Sequence, residues 1–261
     1  MDDLLALSKE HVKRCTCGGV GWVKLPVEPS HPLFGKALPC ICKVAEMEQR
    51  YMKRLATECG ISDSELSRFT FEAFKPDESV VVKGQSAELT TKAMERVRET
   101  CIRYATRPRG WLVLQGERGV GKTHLAYAIA QTVLQRGMSV YAKSVPELLD
   151  AIRAGYDSGA YQSIIESLAK VEMLVLDDLG AQSDTSWTGE KLYEIINARY
   201  RNNGLMVVTT NYALDDPACP IDPRILSRLR DGMNAGKDGL VHILRFPVGD
   251  YRPKHKTFGG G

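Results

Sequence analysis

The stretch GERGVGKTHLA, from Gly116 to Ala126, constrains the fold more than any other part of the chain. Gly116, Gly121, Lys122 and Thr123 fit the pattern G-x-x-x-x-G-K-[ST], and the apolar run WLVLQ at 111–115 stands directly before it. A loop of this kind belongs where a strand ends and a helix begins. Its glycines let main-chain N–H groups turn inward around a phosphate, and the helix that follows sets the positive end of its dipole at the same place. A nucleotide-binding α/β architecture is expected around it.

The chain beyond residue 110 agrees. Runs suited to strands recur at 111–115, 139–143 (SVYAK), 172–178 (EMLVLDD), 205–210 (LMVVTT) and 240–246 (LVHILRF), with helical patterns between them. Strands of this kind alternating with helices predict a five-stranded parallel sheet covered on both faces. Met94, Val97, Cys101 and Tyr104, spaced by three and four, predict a preceding helix that stops at RPRG. Ser144 ahead of Pro146, Thr188 ahead of GEKLYEIINARY, and Asp222 ahead of Pro223 mark three helix starts. No apolar run is long enough for a membrane span, and the acidic start MDDLLALSKE is unlike a signal peptide, so a cytoplasmic protein with no membrane partner is expected.

The third strand ends in Asp177 and Asp178. Asp177 is placed to anchor a Mg²⁺ that Thr123 also holds, Asp178 to act as general base on an attacking water, and Lys122 to balance the β and γ phosphates. A whole strand intervenes between the phosphate loop and this pair, the order of ATPase-type hydrolases rather than of simple nucleotide kinases. VVTTNY closes the fourth strand with Thr209, Thr210 and Asn211, polar groups that sense the γ-phosphate or position water. Arg224 and Arg228, four residues apart on one helical face, either complete the site of a neighbouring subunit or form a solvated basic helix. The net charge of +3 does not by itself argue for nucleic acid, but from Arg224 onward eight basic residues, including Lys237, Lys254 and Lys256, face only Asp231, Asp238 and Asp250.

The first sixty residues hold a different signal. Cys15 and Cys17, then Cys40 and Cys42, form two C-x-C pairs separated by twenty-two residues. Four thiolates so paired suit a closed tetrahedral Zn²⁺ site, with His11 and His31 near enough to substitute, whereas reduced free cysteines are the plainer alternative. The expected organisation is a zinc module at 1–66, a linker at 67–85 whose Phe69, Phe71 and Phe74 dock on a neighbouring surface, and a nucleotide-binding domain at 86–261.

Taken in order, GERGVGKTHLA, LVLDDLG, VVTTN and RILSRLRDG resemble the AAA+ ATPases, in particular the DnaC/DnaI-type helicase loaders and the related IstB transposition ATPases, over roughly residues 69–252. The resemblance implies that Gly116, Glu117, Arg118, Gly119, Val120, Gly121, Lys122, Thr123 and His124 hold ATP. It also implies that Asp177 and Asp178 form the acidic pair, Asn211 is the sensor, Arg228 the arginine finger and Arg252 a second sensor. Asp178 stands where most AAA+ proteins have the longer Glu, which implies a weaker hold on water and slow hydrolysis. Only some fifteen residues follow the fifth strand, so an AAA+ core with a reduced or absent helical lid is expected.

In this family the helices between the second and third strands touch single-stranded DNA, and here Arg153, Tyr156, Tyr161 and Lys170 are available for that, or the tyrosines simply pack the helical pair. The cysteine module resembles the zinc-binding region by which DnaI-type loaders dock the replicative hexameric helicase, a region that IstB-type proteins generally lack. The implied function is an ATP-controlled helicase loader that assembles into a ring or spiral. The alternatives are an IstB-like helper of transposition and a P-loop transferase acting on a small molecule.

Overall fold

The chain divides into two compact bodies, Met1–Arg54 and Leu55–Gly261, in the computed structural model. The residues it describes are 7, 10, 12, 14–44, 46, 60–75, 86–182, 185–231 and 241–247; His11, Lys237, Arg252, Lys254 and Lys256 lie outside them.

The first body contains β1 (Trp22–Lys24) and β2 (Ala37–Pro39), paired antiparallel with Val23 opposite Leu38. Directly opposed residues share a sheet face. This pair joins Val12, Cys17, Leu33 and Cys40 in a small core, while Trp22, one residue out of phase, stays exposed.

The second body contains α1 (Asp63–Arg68), α2 (Ala87–Thr106), β3 (Trp111–Gln115), α3 (Lys122–Gln135), β4 (Val140–Ser144), α4 (Val145–Ser158), α5 (Tyr161–Lys170), β5 (Met173–Leu179), α6 (Ser186–Arg201), β6 (Leu205–Thr210), α7 (Pro223–Arg230) and β7 (Val241–Arg245). The five strands expected from the apolar runs form one sheet in the order β4-β5-β6-β3-β7, parallel at every pairing. Alternation along the strands supplies two apolar faces. Trp111, Val113, Leu174, Leu176, Met206 and Val208 pack with α4 to α7, whereas α3 packs across β3, β4, β5 and β6 and carries α2 against it. Among the described residues no helix is long and apolar enough to cross a membrane.

The helix starts follow their caps. Ser144 and Glu147 form a reciprocal capping box at α4, and the Asp222 carboxylate accepts the Arg224 N–H at 2.7 Å ahead of α7. Thr188 is not the start expected for α6: Thr185 is the cap, accepting the Thr188 N–H at 3.2 Å, while the Thr188 hydroxyl reaches back to the Thr185 backbone. Both threonines belong to one box, and the sequence alone does not say which of them begins it. Met94, Val97, Cys101 and Tyr104 are all buried on α2, as their spacing predicts.

One buried charge joins three elements. Arg199, in the last turn of α6, is 2% exposed, and its guanidinium donates to the main-chain carbonyls of Leu168 and Ala169 in the last turn of α5, of Val171 and Glu172 before β5, and of Leu205 at the start of β6. Burial lowers its pKa to about 10. The planar fork serves several acceptors that a lysine ammonium cannot span together. Arg199→Met, which keeps the stem and removes the fork, is expected to cost about 3 kcal/mol and to lower the melting midpoint by roughly 6–12 °C. A thermal melt within about 2 °C of wild type would show that the carbonyls find other donors.

Candidate functional site

The phosphate loop closes at Gly121, whose φ of 92° puts it in the left-handed region, and α3 then begins with no side-chain cap. A β-carbon on Gly121 would meet the Phe74 ring at 2.6 Å, so glycine is required here for space as well as for conformation. The uncapped N–H groups of α3 leave an anion site open.

Lys122, 6% exposed, donates from Nζ to the carbonyls of Gly116 (2.9 Å) and Glu117 (2.6 Å) and to Asn211 Oδ1 (2.8 Å). The Asn211 amide in turn donates to Asp178 Oδ1 at 2.6 Å. Thr123 Oγ1 lies 3.0 and 3.1 Å from the two carboxylate oxygens of Asp177. Burial raises the Asp177 carboxyl above the usual carboxylate range; hydrogen bonds from Thr209 and Thr123 oppose this, the neighbouring Asp178 charge adds to it and Lys122 pulls it back. Asp178 has a φ of 57°, a conformation that Asp tolerates better than Glu does, which is a local reason for the shorter acid.

These groups face one cavity of about 760 Å³. Arg118, Gly119, Gly121, Lys122, Thr123, Asp177, Asp178, Thr209 and Asn211 line it, together with Arg68 and Phe69, whose place on its wall the sequence did not show. Phe69 belongs to a strap after α1, whose docking surface is the first turns of α3: its ring is 5.4 Å from that of His124 and 5.2 Å from that of Tyr127, and Phe74 is also 5.4 Å from His124. The strap lies in the second body rather than between bodies. His124 Nε2 is 2.8 Å from the Thr70 carbonyl, so its ring faces the strap, and Val120 is buried beneath the loop. Thr210 does not reach the cavity either; its hydroxyl donates to the Leu179 carbonyl at 2.8 Å.

Hard oxygen donors with a buried carboxylate suit Mg²⁺, and Thr123 with Asp177 are the residues that fit it.

Arg228 is held at the surface of its own α6. It donates to Asn197 Oδ1 and the Tyr193 hydroxyl, both at 2.9 Å, and lies 4.8 Å over the Tyr193 ring. Arg224 pairs with Asp222 at 2.8 Å and holds that carboxyl below its ordinary range. Neither arginine is among the residues around Lys122.

A second surface gathers on α4, α5 and α6. Tyr156 and Tyr161 stack at 4.2 Å with 16° between planes, Arg153 lies 4.9 Å over Trp187, and Lys191 lies 5.0 Å over Tyr161. Trp187 and Lys191 were not expected in this group; they come from α6, adjacent only in space. Lys170 pairs with Glu166 instead.

In the first body the sulfurs of Cys15, Cys17, Cys40 and Cys42 all lie within 4.8 Å of one another, with Cys15 to Cys17 at 3.8 Å and Cys17 to Cys42 at 3.5 Å. Tetrahedral thiolates at ordinary Zn–S lengths are separated by about 3.8 Å, so the donor set fits Zn²⁺ and leaves no open position for chemistry. The Cys42 backbone N–H lowers the Cys40 thiol to about 6, while hydrogen bonding with the thiols of Cys17 and Cys40 pushes Cys42 up to about 12. His31 is not needed as a ligand: its Nδ1 accepts the Leu33 N–H at 3.1 Å.

Against known proteins, the family model described as IstB-like ATP binding protein matches residues 85–228. The replicative helicase loader DnaC of Escherichia coli K12 is 27% identical over 122 residues, 46% of this chain and 50% of DnaC. A protein of insertion sequence IS1162 from Pseudomonas fluorescens is 34% identical over 93 residues, 36% of this chain and 40% of its own. The match thus spans half or less of these relatives. A crystal structure of the DnaC helicase loader superposes with a TM-score of 0.53 at 23% identity, covering 70% of this chain and 99% of that one, so the α/β fold with its five parallel strands matches an AAA+ core. The matched stretch runs from before α2 into α7 and takes in the phosphate loop, the acidic pair and Asn211, and on this ground the chain belongs to the IstB-like ATP binding proteins.

Proposed function

We propose that the protein is an ATP-dependent loader of a replicative hexameric DNA helicase onto single-stranded DNA, acting in the cytoplasm as a slow switch. The observation that carries this reading is the four-cysteine cluster at Cys15, Cys17, Cys40 and Cys42, in a compact body of its own outside the matched residues 85–228. With Zn²⁺ bound it supplies a rigid docking module. The aromatic and basic surface of Tyr156, Arg153 and Trp187 supports a DNA contact, since stacking tolerates any base and cations meet the backbone.

In this reading ATP lies with its phosphates over the start of α3 and against Lys122. Thr123 and Asp177 would hold Mg²⁺, which when bound would neutralise phosphate charge. Asp178 accepts a proton from the attacking water, and Asn211, which now bridges Lys122 and Asp178, must turn to meet the γ-phosphate. Arg228, or the more exposed Arg224, leaves its tyrosine to complete the site of the next subunit in a ring or spiral. Hydrolysis then releases the helicase.

A transposition helper is the second reading, favoured by the family match itself and by the insertion-sequence relative. The test is co-elution of the full chain with the host replicative helicase in ATP and Mg²⁺, beside a Cys40→Ser, Cys42→Ser variant. A stable complex that the variant loses is the expected result. Absence of a complex with wild type, together with binding to long duplex DNA and a transposase, moves the assignment to the helper.

A further inference from the structure

β5 and β6 run in register from Met173 opposite Leu205 to Leu176 opposite Val208, and register resumes only at Leu179 opposite Thr210. Between those points two residues of β5, Asp177 and Asp178, face a single residue of β6, Thr209. Two against one is the geometry of a β-bulge, which breaks the alternation of side chains and re-aims one of them. Here it lets both neighbouring aspartates line the same cavity, although consecutive residues of a regular strand point to opposite faces.

The bulge takes the Asp178 N–H out of the main-chain ladder and leaves Asp177 with a buried carboxylate. One side chain answers both needs. The Thr209 hydroxyl, 1% exposed, donates to Asp177 Oδ1 at 2.6 Å and accepts the Asp178 N–H at 2.8 Å. A hydroxyl is at once a donor and an acceptor, so a single group serves two residues whose separation it also sets. We infer that Thr209 is the positioning residue of the acidic pair, holding Asp177 toward the cation site it shares with Thr123 and Asp178 toward the water site. From its place at the strand end Thr209 is expected to sense the γ-phosphate or to position water. Although it lines the cavity, its hydroxyl makes its hydrogen bonds to the two aspartates. The inference rests on the ATPase reading above.

The experiment compares Thr209→Val, which keeps the volume and removes the hydroxyl, with Thr209→Ser, which keeps the hydroxyl and removes the methyl. Affinity for a non-hydrolysable ATP analogue is measured in EDTA and in saturating Mg²⁺, alongside ATP turnover and melting. Thr209→Val is expected to keep its metal-free affinity within about threefold of wild type, to lose most of the affinity gained from Mg²⁺, and to show a kcat about 10- to 100-fold lower, the usual cost of removing a group that orients a metal ligand. Thr209→Ser is expected to stay within about threefold of wild type on every count. A purely structural threonine would instead lower the melting temperature of Thr209→Val and leave the Mg²⁺ gain intact, and that result overturns the inference. So does a Thr209→Ser variant as impaired as Thr209→Val, because the methyl and not the hydroxyl would then matter. If Thr209→Val does not fold, Thr209→Cys, of similar volume with a weak donor and acceptor, must lose part of the Mg²⁺ gain, and wild-type behaviour in it overturns the inference equally. A wild-type chain that binds no analogue removes the ATPase reading itself, and the inference falls with it.

Discussion

Lys122→Ala is expected to weaken ATP binding by about 100- to 1000-fold and to reduce hydrolysis below detection, the scale on which a buried, aimed charge acts. The residue is 6% exposed, and two loop carbonyls and the Asn211 amide, all neutral, are among the acceptors it touches. It is therefore a cation already desolvated and held at the mouth of α3, and an arriving phosphate gives it a charged hydrogen-bond acceptor, stronger than a neutral carbonyl or amide. The same ammonium pulls the buried Asp177 carboxyl back toward ionisation. Its removal thus leaves two carboxylates facing the nucleotide with no lysine between them, so the loss exceeds that of one hydrogen bond. Lys122→Arg does not rescue, because a planar fork does not fit the space set by the two loop carbonyls. Equilibrium titration with a fluorescent ATP analogue checks this; affinity within tenfold of wild type in Lys122→Ala would remove the phosphate site from the loop.

The Cys40→Ser, Cys42→Ser variant is expected to purify without its zinc and to lose the fold of Met1–Arg54, while Leu55–Gly261 melts as before. Among the described residues the main buried cluster of the first body is Val12, Cys17, Leu33, Leu38 and Cys40, so two of its members belong to the four-cysteine cluster. A body of this size seldom holds together on apolar burial alone, and a structural zinc site contributes about 10–16 kcal/mol of binding free energy that is also folding free energy. Metal analysis should find one zinc per wild-type chain and none in the variant. Limited proteolysis should then cut the variant within the first body and leave the second intact. A variant that keeps a protease-resistant first body without metal would assign these cysteines to the core and not to a metal.

What the sequence disclosed about this molecule has a physical pattern. Buried parallel strands are apolar throughout, so all five core strands could be read from short windows. The phosphate loop follows the end of β3 and Asp177 lies near the end of β5, and local rules find strand ends well. Strand order was not legible, because pairing between β3 and β7 depends on residues 130 positions apart in the chain, Trp111 and Val241. The two-against-one register at Thr209 is hidden for the same reason. Arg199 reads as an ordinary basic residue closing a helix, and only the approach of α5 and β6 turns it into a buried donor. Trp187 and Lys191 escaped notice because they join Tyr156 and Tyr161 across separate helices. The roles expected of Arg228 and Asn211 lay in their motifs, whereas the partners that now hold them did not.

The strap that carries Phe69 and Phe74 also has a mechanical meaning. Along the covalent chain, the path from the four cysteines to the central sheet crosses this strap, whose rings rest on His124 and against Gly121. Within the second body, a movement of the strap is therefore felt at the first turn of α3, beside Gly121 and Lys122.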